Sequence, residues 1–563
     1  MLKRMIRPSY RILFLVLLLL LTLSRLAALP LLNISWDEFL FLSRVWLYAS
    51  GGLERGLQTF HVHIFHFLTW FDWSEDRQIL FARVVLFLAS LGSLYALWRV
   101  ARSFLGRTAS FCAVLCMGSH TAFFLHGSSF RADPICLFLV LSTLALLLSG
   151  PARWRLALSA VLFALSCVVS IKTLFYLPTV LWCVWQPEGS WRRACAFAGG
   201  VLTCVAALFL VHHFAIQSAL PETGPASAAA GGQGDIVGVA LAAARKVFLD
   251  RESFQNWNWV KKDFRQNLPI YLLAGLGIFG AFYHARGRVL AGRSMRLAGA
   301  ALFFAAPLLS LLIYRNTYPY YFVFLLLPLS FLAAFAVQRF VLTRPRVLAP
   351  LLVFVALHPA TQLWSAYQDR YSSQARYLDA VREAFPGPVP YVDRCGMVSS
   401  YRSVGFFMSS WGIDAYRAAG ASTLQAALND SDPPRFLLAN HPCLRPDRVR
   451  SKECAFYTKE DARALSENFV PHWGDLWVLG KRLKMDAGQN APLWIHLSGR
   501  YTNVGEHPVS INRRLVAPGE RLYLPRGRHS VWSGVTAKVL LRYGMERTRP
   551  GLPPPVEEIF VGF

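Results

Sequence analysis

Charge is scarce in this chain. Only 16% of its 563 residues are Asp, Glu, Lys or Arg, against roughly 25% in soluble globular domains. That shortage excludes an ordinary soluble protein and a disordered one. Acidic residues are scarcer still, 32 against 58 basic, for a formal net charge of +26. Residues 364–563 hold 26 basic and 19 acidic side chains, so most of the excess lies before residue 364. A nucleic-acid binder would spread such residues over a soluble surface. Here they stand in short loops between long apolar runs, as topology-setting charge does. The chain has no CxxC zinc pattern, glycine-rich phosphate loop, GxSxG elbow or HExxH helix. Nothing in it would drive a nucleotide-powered pump. It has no solenoid repeat.

Apolar and aromatic residues are abundant. Hydrophobic residues make up 55% of the chain, with 41 Phe, 20 Tyr and 17 Trp, and mean hydropathy is +0.37. A transmembrane helix takes about 20 predominantly apolar residues. Eleven windows qualify: 10–30, 78–98, 108–126, 133–150, 155–170, 173–187, 195–216, 268–284, 297–314, 319–338 and 347–363. The first is read as an uncleaved anchor, because no small-x-small site follows its long apolar stretch. Basic clusters occupy every alternate loop, among them Arg99/Arg102/Arg107, Arg192/Arg193 and Arg286–Arg296. The loops between hold single cations: Arg131, Lys172 and Arg315. The bias places the N-terminus in the cytoplasm and residues 364–563 outside.

The expectation is an α-helical polytopic membrane protein of about eleven transmembrane helices (residues 1–363). An extracytoplasmic α/β domain (364–490) and a β-rich subdomain (491–563) follow. The outer loops 31–77 and 217–267 are long, as functional loops often are. The second joins a flexible stretch, 221–234, to an interfacial helix over Val239–Asp250. Seven cysteines lie in or beside apolar runs and read as small buried hydrophobes. An oxidising compartment permits a Cys443–Cys454 disulfide, leaving Cys395 unpaired.

Four groups of residues carry candidate chemistry. Trp36-Asp37-Glu38 sets two carboxylates just past the first apolar window. They are either functional or the acidic first turn of a helix over Phe39–Ser50. Phe130-Arg131-Ala132-Asp133-Pro134 either starts a helix or supplies a second carboxylate facing Asp37 across an outer cavity. Two such carboxylates hold a divalent cation or orient a hydroxyl. Lys172 and Arg315, with Arg131, either snorkel or bind a phosphate at the membrane surface. The histidines His61, His63, His66, His212 and His213 are a weaker set, without diagnostic metal-ligand spacing.

The order and common sidedness of these motifs resemble the GT-C superfamily of membrane glycosyltransferases. The similarity is to the branch of the aminoarabinose transferases and protein O-mannosyltransferases, and it spans about residues 1–363. Trp36-Asp37-Glu38 matches their first-loop Asp-Glu pair, and Arg131-Ala-Asp133-Pro matches their second acidic loop. Arg315-Asn-Thr-Tyr-Pro-Tyr-Tyr matches their basic aromatic loop. Leu57–His63 stands where many relatives carry a Pro-rich, Lys-containing stretch. The resemblance implies a hexosyl- or pentosyltransferase that uses a polyprenyl-phosphate sugar and acts on a lipid, glycan or protein acceptor, usually with inversion. Asp37 would be the catalytic carboxylate, supported by Glu38 and Asp133. Arg131, Lys172, Arg315, Tyr318 and Tyr321 would meet the lipid phosphate. A divalent cation (Mg, Mn or Zn) would fall to Asp37, Asp133, His61 or His63. The branch points to a bacterial inner membrane with a periplasmic C-terminal domain, the endoplasmic reticulum being the alternative. Two rival readings are a glycolipid transporter or flippase, and a non-catalytic anchor presenting the C-terminal domain.

Overall fold

The computed structural model describes residues 8–53, 59–186, 189–217, 257–286, 293–314, 317–341, 345–367, 371–544 and 549–560. The chain divides into two compact units. The first is Met1–Leu32, Leu47–Trp70 and Leu80–Gln368; the second is Asn33–Trp46, Phe71–Ile79 and Asp369–Phe563. The flexible stretch 221–234 and the helix over Val239–Asp250 lie outside the described residues.

The first unit is helical, because a backbone in hydrocarbon must satisfy its own hydrogen bonds. Each of the eleven apolar windows carries helix. Among the described residues four helices are long and apolar enough to cross a membrane: Glu75–Arg102, Trp191–Ile216, Arg296–Ile313 and Pro319–Phe340. Five other apolar helices are shorter, among them Ile12–Ala28 and Ala132–Leu148. The window 108–126 is not one rod. It is Arg107–Ser119 and Thr121–His126, parted at an extended His120 whose side chain accepts from the Ala122 N–H. A side-chain cap replaces a helical bond there.

Burial sorts these helices. The apolar window of Pro319–Phe340 is 94% buried and that of Trp191–Ile216 only 6%. The first is therefore the core of the unit, and the second turns Leu202, Val211 and Phe214 outward, as a lipid-facing helix does. Around the central helix Phe304 stacks on Phe331 at 4.4 Å, with Phe104 against both. The helix Leu268–Arg286 approaches it backbone to backbone at Gly277, where a Cβ would fall 2.2 Å from the Leu332 carbonyl oxygen.

The second unit is built on strands β1 (Tyr391–Val392), β2 (Ser403–Val404), β3 (Phe436–Leu438), β4 (Phe469–Trp473), β5 (Leu476–Met485), β6 (Asn490–Ile495), β7 (Gly499–Asn503), β8 (Val509–Ile511), β9 (Arg514–Val516), β10 (Arg521–Leu524), β11 (Gly527–Trp532) and β12 (Ala537–Tyr543). One sheet runs β10-β7-β12-β5-β3-β1-β2, with β4 also on β5; the other is β6-β11-β8-β9. The ten-residue β5 joins the halves. Its start pairs with β3 and β4, and its Gly480–Met485 stretch pairs with β12. Among the described strands, only the β2-β1-β3 edge is parallel. Strands from both sides of residue 490 thus share one sheet, and the division there is compositional. Cys443 and Cys454 form a disulfide, and Cys395 is free and buried.

The two early segments are bonded into this unit. Gln374 donates to the Ile34 and Ile559 carbonyls and accepts from the Ile34 N–H. Glu75 is fully buried and takes Arg382 at 3.0 Å and the Ser400 hydroxyl at 2.7 Å. Gly396, at φ +74°, lets Ser43 approach to where a Cβ would stand 2.7 Å from it.

Helix contact at Gly277 has a direct test. Gly277→Val forces the Leu332 backbone away and is expected to cost roughly 1–3 kcal/mol, lowering the melting temperature of the detergent-solubilised protein. Gly275→Ala, whose Cβ meets nothing within 4 Å, leaves it unchanged. Equal melting for all three proteins would contradict the close packing.

Candidate active site

A charged cluster inside the first unit is set by two helix boundaries. Arg131 is extended (φ −145°, ψ 167°) just before the helix Ala132–Leu148. Asp133 falls in the first turn, where an acidic group is favoured and Pro134 is tolerated. The helix Arg153–Val169 ends at an extended Ser170, and a 3₁₀ turn, Ile171–Tyr176, carries Lys172. The Lys172 Nζ lies 2.6 Å from the Asp133 Oδ1, and the Arg131 Nε lies 3.7 Å from its Oδ2. Arg131 and Asp133 are buried.

Tyrosines from the segment 314–321 surround the cations. The Arg131 guanidinium sits 3.4 Å over the Tyr320 ring. The Lys172 ammonium is 5.4–5.8 Å from the rings of Tyr320, Tyr321 and Tyr314. Tyr314 stacks on Tyr321, Tyr318 stacks on Tyr320, and the Tyr321 hydroxyl donates to Ser310. Cation–π contacts of this kind are worth about 0.5–2 kcal/mol each. They soften the burial of the cations without neutralising them. Two cations thus meet at one carboxylate, where the exclusion of water makes charge interactions strong.

Sequence reasoning selected Arg131, Asp133, Lys172 and Tyr321, and the structure brings them together. Arg315 lies outside the described residues. Tyr320 and Tyr314 were missed as direct partners; their signal was the aromatic run 318–321, which does not say which ring meets which cation.

Asp37 and Glu38 belong to the second unit. Their helix runs Trp36–Ala49, so it starts three residues earlier than the apolar pattern suggests. The reason is a cap. The Glu38 carboxylate accepts the Ser35 N–H at 3.0 Å, satisfying a donor at the helix start. Glu38 is buried in that role, and Asp37 beside it is half-buried. Arg394, absent from the sequence expectations, belongs to this neighbourhood. Its guanidinium lies 3.7 Å over the Trp36 ring. Burial pulls it below the ordinary arginine value, against the opposing charges of Cys395 and Asp37. No sequence signal links Arg394 to Trp36, hundreds of residues away.

The histidine candidates form a hydrogen-bonded pair in the first unit. The nearest nitrogens of His63 and His212 are 2.7 Å apart, and Thr59 bonds His212. Burial and the neighbouring imidazoles bring His63 down to about 4. His61 is buried in the same short helix as His63. Among the described residues no three His, Cys, Asp or Glu side chains are placed to hold a metal. Asp133 already faces two cations, so its site fits an anion better than a metal ion. A second buried cluster was missed altogether: Asp263, bonded by Tyr271 at 2.5 Å and 3.6 Å from His120. Burial pushes Asp263 up to about 7, opposed by the Tyr271 bond.

No protein-family model and no curated protein matches the chain. Solved structures do. ArnT from Cupriavidus metallidurans bound to undecaprenyl phosphate superposes with a TM-score of 0.52 at 13% identity, covering 77% of this chain and 94% of that one. The same enzyme in the apo state gives 0.50 at 13%, covering 77% and 93%. The chain shares the fold of these ArnT structures, and four of its described helices are long and apolar enough to cross a membrane.

The ion cluster predicts its own mutational signature. Asp133→Leu takes the carboxylate away from Lys172 and Arg131, and thermal unfolding in detergent is expected to show a loss of roughly 3–5 kcal/mol. Adding Lys172→Met returns part of it. Unchanged stability in Asp133→Leu would mean that the carboxylate does not hold the cations in a buried cluster.

Proposed function

We propose that this chain is a glycosyltransferase that moves a sugar from a polyprenyl-phosphate donor to a lipid, glycan or protein acceptor on the extracytoplasmic face, with inversion. The observation that carries the reading is the convergence of Lys172 and Arg131 on Asp133. The two cations meet one carboxylate at 2.6 and 3.7 Å, and a lipid phosphate is the anion they would receive. The undecaprenyl phosphate bound to the similarly folded ArnT supports that choice of anion.

The chemistry follows from where charge develops. As the sugar–phosphate bond breaks, its electron pair goes to the phosphate oxygen. Lys172 and Arg131, preorganised by Asp133 and the tyrosines, stabilise that oxygen. Arg315 is a third candidate for this role, and Tyr318 and Tyr321 supply the aromatic wall. The acceptor attacks the opposite face of the anomeric carbon. Asp37 orients its hydroxyl and takes the proton, and Glu38 fixes the helix start that presents Asp37. No step is routed through a metal ion. In this reading residues 1–363 are the catalytic domain, and the bacterial inner membrane is its location.

The test separates the two proposed roles. Asp37→Asn is expected to keep its affinity for undecaprenyl phosphate while transfer falls on the order of 10²–10⁴-fold. Mass spectrometry of cellular glycans and lipids reads the product. Arg131→Met loses undecaprenyl phosphate affinity by about 10-fold or more. Normal product levels with Asp37→Asn would remove that residue from the reaction.

A further inference from the structure

Near its C-terminal end the first apolar helix, Pro8–Ala28, carries Arg25. A cationic side chain near the end of such a helix ordinarily snorkels to water. Arg25 does not; it is only 2% exposed. Its guanidinium lies 3.9 Å over the Phe123 ring and 5.5 Å from that of Phe87. Its Nη2 donates to the Ser90 hydroxyl at 3.0 Å and to the Ser128 hydroxyl at 2.9 Å. Among the described residues no carboxylate pairs with it, and its Nε and Nη1 have no hydrogen-bond partner.

That arrangement is poor for stability. Arg131 and Lys172 each have the Asp133 carboxylate, whereas Arg25 has two neutral hydroxyls and two ring faces. Ring contacts return about 0.5–2 kcal/mol each, while taking a cation out of water costs several kcal/mol. An apolar side chain of similar length would fill the position at lower cost. The reason for an arginine lies instead in what its hydrogen bonds hold.

Ser128 belongs to the link 127–131 between the helices Thr121–His126 and Ala132–Leu148. The link is not helical, so individual contacts set its shape. Gly127 donates to the Phe123 carbonyl and Ser129 to the His126 carbonyl, tying its start to the preceding helix. Arg131 donates to the Ser129 carbonyl at 2.7 Å, tying its end. Arg25 approaches from the side. It bonds Ser128, and a Cβ on Gly127 would fall 3.2 Å from its Nη2. The same nitrogen bonds Ser90 on the helix Glu75–Arg102, whose hydroxyl donates to the Phe87 carbonyl. Arg25 thus pins the link to two helices, three residues before Arg131.

We infer that Arg25 is a positioning residue for the donor phosphate: it sets the link 127–131, and through it the Arg131 guanidinium beside Asp133. The inference rests on the proposed binding of a polyprenyl phosphate by Arg131 and Lys172. Arg25 acts on that phosphate without touching it. A guanidinium already held in place loses less freedom when the anion arrives, and the affinity gains by that amount.

The experiment is a double-mutant cycle on the full chain in detergent. Undecaprenyl phosphate affinity and thermal unfolding are measured for the unmodified chain, Arg25→Met, Arg131→Met and the double variant. Arg25→Met is expected to unfold at the same temperature or higher, yet to bind undecaprenyl phosphate about ten-fold more weakly. In the Arg131→Met background it has no further effect. Ser128→Ala removes only the hydroxyl between Arg25 and the link; it weakens binding in the same direction and remains informative if Arg25→Met fails to fold. Full affinity in Arg25→Met or in Ser128→Ala overturns the positioning role. So do losses that multiply in the double variant, because Arg25 would then act independently of Arg131. Failure of the unmodified chain to bind undecaprenyl phosphate instead overturns the transfer reading on which the inference rests.

Discussion

One carboxylate shared between two cations is the constraint on which the account turns. Asp133 sits in the first turn of its helix, with Lys172 at 2.6 Å and Arg131 at 3.7 Å. Burying any one of these charges alone would cost several kcal/mol. Burying all three works because each cation has the carboxylate and tyrosine faces nearby.

The acceptor-side residues obey a different constraint. Glu38 is used by the backbone, accepting the Ser35 N–H, and this marks where the helix Trp36–Ala49 begins. Trp36 then lies at the first helical position, under Arg394, and Asp37 follows it. The adjacent acids of the Trp-Asp-Glu motif therefore differ in physical role. One shapes the helix end, and the other is the candidate for chemistry.

Much of the fold was legible because long apolar runs have few solutions. A Leu- and Phe-rich window in hydrocarbon forms a helix, and every such window does. What stayed hidden were local breaks such as His120, where a side chain supplies the bond that a helix would otherwise make. In the soluble tail the strands Phe436–Leu438 and Leu476–Met485 each lie on an apolar run of the sequence. The pairings that place β12 on β5 were not readable, since register depends on contacts remote in sequence. Within the site, Arg131 and Lys172 stood out because single cations interrupt the alternating charge bias. Their meeting at Asp133 could not be read from spacing, and neither could the choice of Tyr320 as the ring under Arg131. The Ser35–Glu38 spacing did carry the capping signal, but the adjacent carboxylates drew the functional reading first. Arg394 had no signal at all, being one of many arginines in a basic tail.

The central claim is that the Asp133 cluster is an anion site for a lipid phosphate. Its most direct test is the affinity of the solubilised chain for undecaprenyl phosphate compared with undecaprenol, before and after Lys172→Met. The account predicts that the phosphate is bound at least about ten-fold more tightly by the unmodified chain, and that Lys172→Met removes most of the difference. Equal affinity for the two lipids, or a preference untouched by the substitution, would contradict it.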